Sequence, residues 1–194
     1  MSVRNHDGYS LVEMVVAAGI FALAFVVIAA IFIGYSTAQG RAAIAQRLLN
    51  DGNYLMELVS REVRMNAIDY SCTAASPAID HKYICLRSAD GRAVHIRFDD
   101  APSQLVLKIC KDYSAAPCAL ASSNWTDLNT QSTLKITAVE FHSYPTVNPL
   151  GADVVSAQTY HPFTIVRMTV QGGRGKSQQT YSFQTAVSSR IYNF

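Results

Sequence analysis

The chain has 194 residues, a formal net charge of +2 and 49% hydrophobic residues. A balance so near neutral gives no ground for a nucleic-acid or strongly acidic partner, although it does not exclude one. The apolar residues are densest at the N-terminus, and the roughly 150 residues behind them suffice for one domain with its own core.

In chain order, Met1 to Gly8 is a short polar stretch, and Tyr9, Ser10, Leu11, Val12 and Glu13 follow. From Leu11 to Tyr35 nearly every residue is Ala, Val, Ile, Leu, Phe, Met or Gly, and after Glu13 no charge appears before Arg41. About 20 apolar residues cross a bilayer as a helix. Apolar character all round the wheel marks a helix that is buried or in lipid. Gly19 and Gly34 are its weak points, and the absence of proline forces no kink. A carboxylate at the mouth of such a run is costly and asks for an explanation.

Three readings compete for the run. A cleaved secretory signal finds a small-residue site in Ser36-Thr37-Ala38, but the run far exceeds a signal's apolar core. A plain signal anchor on an exported domain is the second. The third gives Glu13 and the Gly8-Tyr9 junction a role. Arg4 ahead of the run and Arg41 and Arg47 behind it leave the orientation undecided by charge alone.

The helix is expected to continue through residues 37–70 as an amphipathic half. Ile44, Leu48, Leu55, Val59 and Val63 recur at helical spacing, and Glu57 and Arg61 stand four apart in the favourable order. After Tyr70 the pattern turns to β. Residues 82–87 read as a strand, Ser88 to Gly91 as a turn, and Val94, Ile96 and Phe98 alternate in the returning strand. Strands are expected over 104–111, 133–144, 163–170 and up to Arg190, the last two joined by the glycine-rich turn at 172–176. Residues 113–131, with the only tryptophan (Trp125), read as an irregular loop, and 145–162 as a long polar connection. The fold class expected is α+β: a long N-terminal helix, half transmembrane and half amphipathic, packed on a C-terminal antiparallel β-sheet spanning 71–194.

Cys72, Cys85, Cys110 and Cys118 all lie beyond the apolar run, with no C-x-x-C among them. In an oxidising compartment disulfides are expected. Three pairings exist. Joining Cys72 to Cys85 and Cys110 to Cys118 would staple two polar loops, and four buried free thiols are the alternative.

No catalytic constellation emerges. His6, His81, His95, His142 and His161 are scattered without a helical H-x-x-x-H pair, so no metal or other cofactor is expected. There is no G-x-S-x-G and no P-loop. Gly172 to Lys176 has strands on both sides and reads as a hairpin tip rather than a phosphate cradle.

The N-terminus resembles the type IV pilin and type II secretion pseudopilin family. The resemblance lies in a short leader ending in Gly8, the aromatic Tyr9, and Glu13 as the fifth residue after that glycine, ahead of a long apolar helix. The family usually has Phe then Thr where this chain has Tyr9 and Ser10. The resemblance implies a leader over 1–8 and an assembly helix over 9–36. It implies cleavage between Gly8 and Tyr9 by a prepilin peptidase and N-methylation of Tyr9. Glu13 would then pair with a Tyr9 amine during fibre assembly. Ser60 to Arg64, and Phe183 to Arg190, resemble larger minor pilins and the J-type minor pseudopilin. The implied partners are the peptidase, other pilin subunits in a helical fibre, an inner-membrane assembly platform, and lipid before assembly. The implied location is a single pass of the inner membrane with a cytoplasmic N-terminus, then a periplasmic or cell-surface fibre, of a secretion, pilus or DNA-uptake kind. The alternative is a binding or enzymatic domain held by a signal anchor.

Overall fold

In the computed structural model the chain is described over residues 10–72, 81–101, 104–111, 118, 124–129, 134–149 and 161–190. Helix α1 runs Leu11–Met65 (55 residues) and is followed by β1 (Ala67–Ile68). The later strands are β2 (Tyr83–Arg87), β3 (Ala93–Ala101), β4 (Gln104–Lys111), β5 (Trp125–Asp127), β6 (Lys135–Tyr144), β7 (Phe163–Gly172) and β8 (Gln179–Ser188). The class is α+β, as the alternation and helical spacing indicate. The chain divides into two compact units, one up to Ala43 and one from Ile44 onward.

In the second unit the strands form two antiparallel sheets, not one. The first has the order β1-β2-β3-β4-β5 and the second β6-β7-β8. Every pairing is antiparallel between sequence neighbours, so each sheet is a meander. Phe141 N donates to His81 O at 2.6 Å, a backbone bond from β6 to a residue two before the start of β2.

The core follows from two periodicities. On α1 the buried positions Leu48, Gly52, Leu55, Val59 and Val63 recur every three or four residues, which makes one stripe. On β3, Val94, Ile96 and Phe98 are buried while their neighbours are not, and β7 buries Val166, Met168 and Val170 in the same way. Leu86, Ile96, Leu107, Ile136, Val63 and Val170 are fully enclosed in this single cluster. Each such side chain contributes about 1.5–3 kcal/mol relative to exposure.

Two glycines set how closely the helix approaches the second sheet. A Cβ on Gly52 would meet the ring of Phe183, and one on Gly172 would lie 2.7 Å from a Leu48 methyl. A glycine within the amphipathic helical spacing suggests close packing or a soft spot, and at Gly52 it is close packing: a backbone approach that a side chain would block.

The helix ends at Met65, five residues before the end expected at Tyr70. Asn66 Nδ2 donates to Glu62 O at 2.7 Å, satisfying a carbonyl of the last turn. Ser189 Oγ donates to Asn66 O at 2.7 Å, and Ala67 and Ile68 then pair with Arg87 and Leu86. A sheet partner thus outcompetes the next helical turn. Trp125–Asp127, expected as loop, is also an edge strand, because β4 offers it a free backbone edge.

The face of the first sheet turned from this core carries one row across four strands: Cys85 opposite His95, His95 opposite Cys110, Cys110 opposite Trp125. Both disulfides, Cys72–Cys85 and Cys110–Cys118, are rooted in that row. Arg97 lies 4.4 Å over the Trp125 ring, and the Tyr83 hydroxyl and His95 Nδ1 are 2.6 Å apart. Crosslinks and aromatic contacts do there what a packed layer does on the other face.

Candidate functional site

Of the residues singled out at the N-terminus, Gly8 and Tyr9 lie outside the described residues. The description begins at Ser10, which caps α1. Glu13 N donates to Ser10 Oγ at 3.2 Å and to Ser10 O at 3.1 Å, and Met14 N to Ser10 O at 3.2 Å. Ser10 and Glu13 thus occupy the N-cap and N3 positions of a capping-box sequence. In the sequence Ser10 stands out only as a departure from the family's usual threonine. The spacing Ser-x-x-Glu before an apolar run was the signal for its capping role.

Glu13 is exposed and lies in the first helical turn. A carboxylate is favourable there, since the unpaired N–H groups of a helix start carry about half a positive charge. Behind it the apolar side chains point outward on every face. Leu11 is 81% exposed, Phe21 76% and Leu23 71%. The chain buries none of its most apolar 18-residue window, and this one helix is long and apolar enough to cross a membrane. Such a surface, far beyond what a water-exposed domain tolerates, requires cover from lipid or from other helices. Thr37 Oγ1 donates to Gly34 O at 2.8 Å, so this hydroxyl just behind the run is bonded within its own helix.

The cysteines occupy a different place. Cys72, Cys85 and one nitrogen of His95 come within 4.8 Å of one another, but the disulfide commits both sulfurs. The grouping depends on the register of β2 against β3, which spacing along the chain does not reveal.

Where the chain re-emerges from the helix it is clamped by charge. Arg87 holds Asp69 Oδ2 through Nη2 (2.8 Å) and Nε (3.2 Å), while Ser71 donates to Oδ1 from N (3.0 Å) and Oγ (2.6 Å). Burial pushes the Asp69 carboxyl up, but the bonds from Ser71 and Arg87 outweigh it and hold the pKa below the ordinary 3.8. Glu62, buried on α1, takes Lys111 Nζ at 2.7 Å and so ties the helix to β4.

Compared with protein-family models, with curated proteins and with solved structures, the chain matches none.

Proposed function

We propose that the chain is a minor pilin-like structural subunit, processed after Gly8 and assembled from the inner membrane into a type IV pilus or a type II secretion pseudopilus. The observation that supports this best is the pairing of a fully outward-facing apolar helix with a carboxylate in its first turn. An anchor explains the apolar surface alone. An assembly helix also explains Glu13.

In this reading the prepilin peptidase cuts between Gly8 and Tyr9, and the Tyr9 amine is methylated, which keeps its positive charge. That amine then lies one residue before the Ser10 cap. Next in sequence to a helix start, it adds a positive charge at the helix's positive end, an unfavourable pairing of like charges. Glu13 offsets both. In the dry core of a fibre an unpaired carboxylate is costly and an amine partner strongly attractive, so a Tyr9 amine, its own or a neighbour's, sets the register between stacked helices. The subunit does no chemistry of its own. It passes through lipid before assembly, and its two-sheet domain stands outside the fibre core.

The competing reading, an exported binding or enzymatic domain on a signal anchor, gives Glu13 no task. Glu13→Ala and Glu13→Gln separate the two. Both variants are expected to be processed normally and to be missing from the sheared fibre fraction. Recovery of either variant in that fraction at the wild-type level would remove the pairing role.

A further inference from the structure

Beside β1 and β2, at the end of β6, the second unit contains a cleft of about 390 Å³, a volume in the range of small-ligand sites. Its lining joins residues far apart in sequence: Ile68 to Tyr70, His81, Tyr83 to Cys85, and Phe141 to Thr146. Tyr70, Tyr83, Phe141 and Tyr144 give it ring faces. The imidazoles of His81 and His142 lie 4.2 Å apart, centroid to centroid, tilted by 37°. Tyr144 is partly exposed at 43% and stacks on Phe163 at 5.5 Å and 25°, so one ring is steadied from behind with area left open.

The charges in the lining narrow the choice of ligand. Among the described residues no lysine or arginine lines the cleft, which disfavours an anion. Its one carboxylate, Asp69, is already held by Arg87 and Ser71, which disfavours a cation. What remains are ring faces and hydrogen-bonding groups, the Tyr70 hydroxyl and the imidazoles of His81 and His142, the latter with Nε2 already 3.3 Å from Glu140 Oε2. The Tyr70 hydroxyl is buried with no hydrogen-bond partner among the described residues, and burial pushes its pKa up to about 12, so it stays a neutral donor and acceptor. An unpaired buried hydroxyl costs about 1–3 kcal/mol. A ligand hydroxyl reached by a small ring movement would recover it.

We propose that this cleft binds the neutral pyranose ring of a glycan, its C–H face against Tyr144 and its hydroxyls toward Tyr70 and the two histidines. A flat aromatic ligand would satisfy the rings but leave the polar groups without partners. A pyranose offers both a face to stack and hydroxyls to bond. The inference rests on the cleft alone and holds whether or not the N-terminal helix assembles into a fibre.

The test is saturation-transfer NMR on the full chain in lipid nanodiscs. The probes are methyl β-glucopyranoside, methyl β-galactopyranoside and methyl β-N-acetylglucosaminide, with para-cresol as the flat aromatic control. At least one pyranoside is expected to show transfer at its ring C–H protons. Tyr70→Phe is expected to weaken that binding several-fold and Tyr144→Ala about tenfold. Tyr70→Phe removes only an unpaired hydroxyl, so its folding is not expected to suffer. Transfer to para-cresol alone, transfer to no probe, or pyranoside binding that both variants leave unchanged would each overturn the proposal.

Discussion

The front and back portions of α1 share one backbone conformation and face opposite demands. Over Leu11 to Tyr35 the apolar residues surround the helix, and the large ones all lie exposed. From Ile44 to Met65 the buried ones form one stripe, from Leu48 to Val63, that the sheets cover, while Leu49, Tyr54 and Met65 stay exposed. Helix formation is local, so both portions obtain it. What covers each is decided by how apolar residues are distributed round the wheel, and a full circle asks for more cover than one domain supplies.

Single truncations should divide the two portions most sharply. Leu55→Ala opens a cavity in the enclosed core and is expected to cost the domain about 2–5 kcal/mol. Leu23 is 71% exposed, outside the domain's unit, and Leu23→Ala is expected to leave domain unfolding within about 0.5 kcal/mol of wild type. Chemical denaturation followed by Trp125 fluorescence compares them. Equal losses in both would erase the distinction between the portions.

The disulfides offer a second contrast, since they lie in the domain alone. Replacing Cys110 and Cys118 by serine releases a crosslink of sequence separation 8. It is expected to lower domain stability by about 2–3 kcal/mol. Partition of the apolar helix into lipid, read by flotation, is expected to stay unchanged.

A glycine pair sharpens the comparison further. Gly34→Ala meets open space, whereas Gly52→Ala drives a methyl into Phe183. Alanine adds about 1 kcal/mol of helix propensity at either site. At Gly52 overpacking of about 1–3 kcal/mol outweighs it, so a modest net destabilisation is expected there and none at Gly34. Thermal melts of the two variants decide this.

The smallest effect concerns acid. Asp69 has a folded pKa below its ordinary 3.8, so its contribution is fully present above that value and is lost as pH falls through the folded pKa. Asp69→Asn is expected to lower stability at neutral pH and to flatten the fall below about pH 4. A variant whose acid titration of stability matches wild type would show that the Arg87 and Ser71 bonds carry no linkage.

The parts of the fold legible in the sequence are those with strong periodicity. The helical stripe, the 83–98 hairpin and the alternation of β7 and β8 are written in side-chain order, and they give the α+β class. The division into two sheets is not, because it depends on which strand edges β4 and β6 leave to each other. The end of α1 at Met65 depends on Asn66 and Ser189, which lie 123 positions apart. At the N-terminus the reverse holds: Gly8, Tyr9 and Glu13 are conspicuous in sequence, and structure adds the Ser10 cap. The cleft was invisible to sequence reasoning, since His81 and His142 meet only through the β6 contact.

The most direct measurement is the intact mass and N-terminal sequence of the protein recovered from the membranes of cells that possess a prepilin peptidase. A chain beginning at N-methylated Tyr9 is expected, with Leu11 to Tyr35 retained. A chain beginning at Gln39 would mean a cleaved secretory signal, and an intact Met1 a plain anchor; either result would contradict the proposal that residues 9–36 are an assembly helix.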